Sequence, residues 1–199
     1  RDGLDPKLKL WEVTMENLLE VKNIGIDLKT KDNYKKLVDN VSFNIGKKQS
    51  FGIVGESGCG KSITALAIMR LLSYPLKISG GQILFDSKKG KVDLVSLKDY
   101  EMRKIRGKEI SMIFQEPMTA LDPVFTIEQQ IVETLKFHTN LNKKDMRSMA
   151  LDMLKKVGIP RSEQILSEYP HQLSGGMLQR IMIAIALICK PKLLIADEP

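Results

Sequence analysis

Hydrophobic and polar residues alternate loosely in LLEVKNIGIDL (18–28) and again in VDNVSFNI (38–45). A period of two buries one face of a strand and wets the other, so both stretches predict half-buried, antiparallel strands. SFGIVG (50–55) is short, apolar and closed by glycine, which predicts a strand buried on both faces. From Lys61 to about Leu72 the spacing becomes helical: Ile63, Leu66, Ala67 and Met69 make a stripe, and Tyr74-Pro75 is the expected stop. GGQILFD (80–86) and EISMIFQ (109–115) read as further strands. Between Thr126 and Val157 the apolar spacing is helical once more, with a methionine-rich stripe suited to packing. QRIMIAIALIC (179–189) is apolar nearly all round, as a buried helix is. KLLIADE (192–198) is the last expected strand. This order predicts an α/β protein: N-terminal antiparallel strands, a parallel core sheet and an inserted α-helical subdomain.

Composition narrows the class. Of the 199 residues 43% are hydrophobic and 28% charged, an ordinary globular balance. Two cysteines, Cys59 and Cys189, are too few and too far apart for a disulfide framework or a zinc site. The longest apolar run, 181–189, falls far short of the roughly 20 residues that cross a bilayer. These features point to a cytosolic protein. The net charge is +7, with basic runs at KTKDNYKK (29–36), SKKGK (87–91) and RKIRGK (103–108). Each run is explained by a solvated surface, although an anionic membrane face or a nucleic acid would also suit them. Aromatic residues do not interleave with the runs, which argues against single-strand stacking and against a nucleic-acid partner.

The chemistry concentrates in GESGCGKS (55–62), which fits G-x-x-x-x-G-K-[ST]. Gly55, Gly58 and Gly60 permit a tight backbone with inward-turned N–H groups. Glu56, Ser57 and Cys59 fill the variable positions. Those amides and the positive end of the following helix suit a polyphosphate. Lys61 would place a point charge on the β and γ phosphates, and the Ser62 hydroxyl would ligate Mg²⁺. The strand ending in Asp197-Glu198 supplies the complement: Asp197 to hold Mg²⁺, Glu198 to orient or deprotonate an attacking water.

LSGGMLQR (173–180) places Ser174, Gly175 and Gly176 before a long helix, a second anion-ready helix N-terminus. One site does not need two, so a second nucleotide or a second chain is expected. With the phosphate loop, this stretch resembles the signature motif of ABC ATPases, and FQEPMTALDP (114–123) resembles their glutamine-loop region. That form is similar to the ATPases of dipeptide, oligopeptide and nickel importers. Met118 and Met177 resemble the D-type subunit more than its F-type partner. The resemblance covers 15–199.

The resemblance implies two ATPase chains dimerised head to tail around two ATP molecules, the partner being an F-type subunit or a second copy. The loop of one faces Ser174–Gly176 of the other. Gln115 would contact Mg²⁺ or the attacking water and link the site to the helical subdomain, which docks on membrane permease subunits. An extracellular or periplasmic binding protein would deliver cargo. Tyr34 is the nearest aromatic ahead of the loop that could stack on adenine. His138 and His171 are expected to be surface or packing residues. The implied division is 1–14, a leader or permease-tail-like segment; 15–115, the first part of the nucleotide-binding core; 116–172, the helical subdomain; and 173–199, signature helix and acidic strand. The implied function is ATP hydrolysis energising a peptide or nickel importer at the cytoplasmic face of the membrane, peripherally bound. A soluble ABC ATPase acting on ribosomes or DNA is the alternative, and a phosphate-loop kinase leaves LSGGM unexplained. The resemblance also implies missing strands and a switch histidine beyond Pro199, so the stretch alone is expected to be inactive.

Overall fold

The computed structural model describes residues 16–116 and 120–198. The leader-like segment 1–14 and Met118 therefore lie outside the described residues. The first sheet is antiparallel, in the order β2-β1-β3-β4, from β1 (Asn17–Lys29), β2 (Tyr34–Gly46), β3 (Leu76–Ser87) and β4 (Gly90–Asp93). β5 (Ile110–Ile113) and β6 (Leu193–Ala196) form a parallel pair in which Ile110 opposes Leu193 and Ile113 opposes Ala196. Both β5 and β6 are short, and β5 is buried throughout, as parallel strands are.

Six α-helices have their full ranges described, α1 (Lys61–Ile68), α2 (Asp99–Ile105), α3 (Ile127–His138), α4 (Lys143–Lys156), α5 (Ser162–Leu166) and α6 (Gly175–Leu187), and a 3-10 turn spans Pro170–Gln172. α3 begins at Thr126, whose hydroxyl accepts from the Gln129 N–H while the Gln129 side chain accepts from Thr126 N–H. This reciprocal cap satisfies two otherwise orphaned donors. Asn142 caps α4 by accepting from Asp145 N–H at 2.9 Å.

Two large apolar clusters and a small third one pack the described residues. One gathers β1, β3, α1 and α2 around Leu19, Ile24, Ile83 and Phe85. The other gathers α3 to α6 around Ile127, Ile131, Leu135 and Leu154. α6 explains its own all-round hydrophobicity, because it is used on two sides. Leu178, Ile181 and Ala184 pack into the helical cluster, while Met182 and Ala186 meet Ile113 at the end of β5.

Two expectations need correction. Residues 50–55 are not a buried strand: no ladder pairs them among the described residues, and Val54 is 97% exposed. Apolar letters can bury a strand only where neighbours stand on its flanks, and here Phe51 instead stacks on Phe43 at 5.1 Å. The helix after the loop ends at Ile68, well before Tyr74-Pro75. Its stop is Arg70, held at φ 52°. The Arg70 guanidinium donates to the carbonyls of Leu94, Val95 and Leu97 at 2.8 to 3.0 Å, offsetting the cost of a left-handed non-glycine residue. The helical spacing of 126–157 is realised as two helices, the first ending where Thr139 hydroxyl returns to Leu135 carbonyl at 2.7 Å. β4, α2 and α5 were not anticipated by the periodicity.

Candidate nucleotide site

The 55–62 loop connects the extended segment 50–54 to α1. Gly58 and Gly60 have φ of 80° and 97°, left-handed values that side chains disfavour. At Gly55 a side chain would meet Cys59 Sγ at 2.6 Å. At Gly60 it would meet Val38 Cγ2 at 3.0 Å, so the loop rests directly on β2. Thr64 fastens its far end, donating from its hydroxyl to Gly60 carbonyl at 2.8 Å. Residues 55–59 are exposed, with Glu56 and Ser57 facing outward. The Lys61 ammonium folds back on the loop and donates to the carbonyls of Gly55 and Glu56 at 2.8 and 2.9 Å.

The acidic pair arrives by a different route. Asp197 N–H donates to Ile113 carbonyl at 3.1 Å, which extends the parallel ladder one residue past β6. That bond fixes Asp197, and its carboxylate accepts from the Ser62 hydroxyl at 3.0 Å. Glu198 follows at φ 46°, a left-handed value for a non-glycine residue. Its carboxylate accepts from the Gln115 side-chain amide at 2.6 Å. Lys61, Asp197 and Glu198 also line one slot of about 180 Å³, walled by Phe51 and Ile53 on one flank and β6 on the other. The structure thus brings Lys61, Ser62, Gln115, Asp197 and Glu198 together from three distant stretches.

Other predicted residues stand apart. Ser174 is the N-cap residue of α6 without using its side chain. Gly175 and Gly176 face open space. Among the described residues no hydrogen bond joins this turn to the phosphate loop. Tyr34 opens β2, 53% exposed. Lys77 Nζ lies 3.6 Å from its ring centroid, a contact no sequence spacing signalled. His171 stacks on Tyr169, and His138 is half-buried, with burial and then Lys108 pushing its pKa down.

The donor set suits a hard cation. A hydroxyl and a carboxylate oxygen 3.0 Å apart match neighbouring corners of a Mg²⁺ octahedron, whose ligands at about 2.1 Å stand about 3 Å from one another. Among the described residues no three His, Cys, Asp or Glu side chains cluster as a metal cage. An ion held here would take its other ligands from phosphate and water.

The fold is α/β, with a glycine-rich loop set against the end of an acidic parallel strand. Residues 38–199 match the family model described as ABC transporter. The chain belongs to the ABC transporter ATP-binding family. It is 53% identical over 186 residues to the oligopeptide transport ATP-binding protein AppD of Bacillus subtilis (strain 168), covering 93% of this chain and 56% of that protein. It is 52% identical over 186 residues to the dipeptide transport ATP-binding protein DppD of the same organism, covering 93% and 54%. The chain thus spans about half the length of the curated relatives it matches. Among solved structures it is similar to the dimeric, post-hydrolysis ATP-binding cassette MJ0796 bound to ADP and Pi. The TM-score there is 0.78 at 29% identity, over 90% of this chain and 73% of that one.

Proposed function

We propose that the chain carries the ATP-binding and ATP-hydrolysing centre of a subunit that energises an ABC importer. Its cargo class is di- or oligopeptides, with nickel the other cargo the sequence allows. The observation that carries this reading is the double contact of Ser62 with Asp197 and Gln115 with Glu198. These two polar pairs at one glycine-rich loop support a cation-binding role for the first and a water-orienting role for the second. The names of the relatives support transport over an action on ribosomes or DNA.

In this reading the amides of Gly55 to Gly60 cradle the β and γ phosphates, and Lys61 leaves its carbonyls to meet them. Ser62 and Asp197 would hold Mg²⁺, with Gln115 contacting the ion or the attacking water, and the ion would neutralise charge on the phosphate oxygens. Glu198 accepts the proton of the attacking water, and Gln115, bonded to that carboxylate, aligns it. Tyr34, exposed at the start of β2, is offered to the adenine ring. The open turn at Ser174–Gly176 suits the nucleotide of a second ATPase chain, an F-type partner or another copy, as in the dimeric cassette. The helical layer 116–172 between 15–115 and 173–199 is read as the part that docks on membrane permeases, at the cytoplasmic face. A binding protein outside the membrane would select the cargo.

The test uses the full-length protein. Lys61→Ala should abolish ATP binding. Glu198→Gln should keep binding and lose multiple turnover by about 10²- to 10⁴-fold, the range of a lost general base. Undiminished phosphate release from the Glu198 variant would overturn the assignment.

A further inference from the structure

Two of the basic runs, so far accounted for only as solvated surface, meet in space. Lys88 and Lys89 from the β3–β4 turn, Lys104 from α2, Lys108 before β5 and Lys136 from α3 line one cleft of about 780 Å³. Tyr100 and Phe137 form apolar walls and are 56% and 60% exposed. The cleft borders Lys108 and Glu109, at the opening end of β5, whereas Gln115 follows its closing end. It is therefore separate from the nucleotide site.

The charge in the cleft is only partly balanced from within, because two carboxylates, Glu101 and Glu109, line it against five lysines. Glu109 accepts from Lys88 N–H at 2.7 Å and from the Ser87 hydroxyl at 3.2 Å, and it lies 3.7 Å from Lys192. Glu101 accepts from Lys98 N–H at 3.1 Å. Among the described residues none of the five lysine ammoniums makes an ion pair. His138 also borders the cleft, with burial and then Lys108 pushing its pKa down. Five ammoniums against two carboxylates leave the hollow with an excess of positive charge, and an anion entering it relieves the repulsion among the lysines. The volume lies in the range of small-molecule sites. Lysines act as point charges on phosphate, and aromatic walls cover the less polar part of a ligand.

We propose that this cleft is a second anion site, built for a phosphate-bearing ligand: a free polyphosphorylated molecule or the headgroup of an anionic lipid. It stands independently of the nucleotide reading, because none of its residues touches the phosphate loop.

The chain's two histidines make the test direct, since His138 borders the cleft and His171 stacks on Tyr169 away from it. The full chain carrying Lys61→Ala, which silences the loop, is titrated with inorganic tripolyphosphate while the imidazole proton resonances are followed. The His138 resonances should move and those of His171 stay. Lys104→Glu with Lys136→Glu should weaken that titration by at least about tenfold, as like charge placed against an anion does, and leave ATP turnover of the otherwise unaltered protein unchanged. Co-sedimentation with phosphatidylglycerol vesicles, against phosphatidylcholine alone, separates the sources. Lysine-dependent sedimentation assigns the lipid, and a tripolyphosphate response without it assigns the free ligand. No response to either probe, or one that survives the double reversal, overturns the site.

Discussion

Gln115 donates to Glu198 at 2.6 Å across 83 positions of sequence, joining the end of β5 to the end of β6. An amide is the right neighbour for an ionised carboxylate, since it donates without adding charge. Gln115→Glu would set two carboxylates at that distance, and they cannot both ionise. The acidic limb of the turnover-against-pH profile should therefore move to higher pH, while ATP binding is retained. A profile that coincides with that of the unaltered protein would remove Gln115 from the site.

Gly60 combines φ 97° with Val38 only 3.0 Å from where a side chain would begin. Gly60→Ala should lower stability by about 1–2 kcal/mol for the left-handed backbone alone, and should also lift the loop from β2. Gly90 has φ 104° and open space around it. Gly90→Ala is the control: a similar backbone penalty in urea unfolding, with nucleotide affinity intact. Equal affinities for both variants would show that the Val38 contact does not shape the loop.

Glu20 is buried in β1 between two ammoniums, with hydrogen bonds from Lys22 and Lys91 holding its pKa down to about 2 from 4.5. Its folded pKa lies below the unfolded one. The stability it supplies is present above pH 4.5 and lost as pH falls towards about 2. Denaturant midpoints should decline across that window, and Glu20→Gln should flatten the decline. An unchanged slope in the variant would show that other carboxylates govern it.

Ile181 is fully buried where α6 meets the helical cluster, and Ile183 on the same helix is only partly covered. Ile181→Ala should cost about 2–5 kcal/mol, a large share of a typical domain stability. Ile183→Ala should cost clearly less. Urea unfolding of both variants checks the order, and a reversed order would contradict the packing.

The residues that make the site were readable because local order sets them: a glycine-rich loop before a helix, and acids at a strand end. Their pairing was less so. Gln115 and Glu198 are joined by the register of β5 on β6, which no local window reports. Segment 50–55 misled because periodicity states which residues want burial, not whether a partner lies beside them. The early stop of α1 was invisible because Arg70 secures it through carbonyls 24 to 27 positions away. The basic cleft was hidden for the same reason: Lys88, Lys104 and Lys136 are neighbours only after folding.

Lys61 has one further consequence. Its ammonium is a plug in its own cradle, holding the carbonyls of Gly55 and Glu56. On the proposed reading, phosphate capture at this loop exchanges those carbonyl contacts for phosphate contacts at the same ammonium. The gain from each phosphate contact is set against the carbonyl contacts released, so affinity reflects a small difference between two large attractions. Replacing Lys61 should loosen the unliganded loop as well as weaken the liganded one, and the arriving phosphate finds a shape already rehearsed by a side chain.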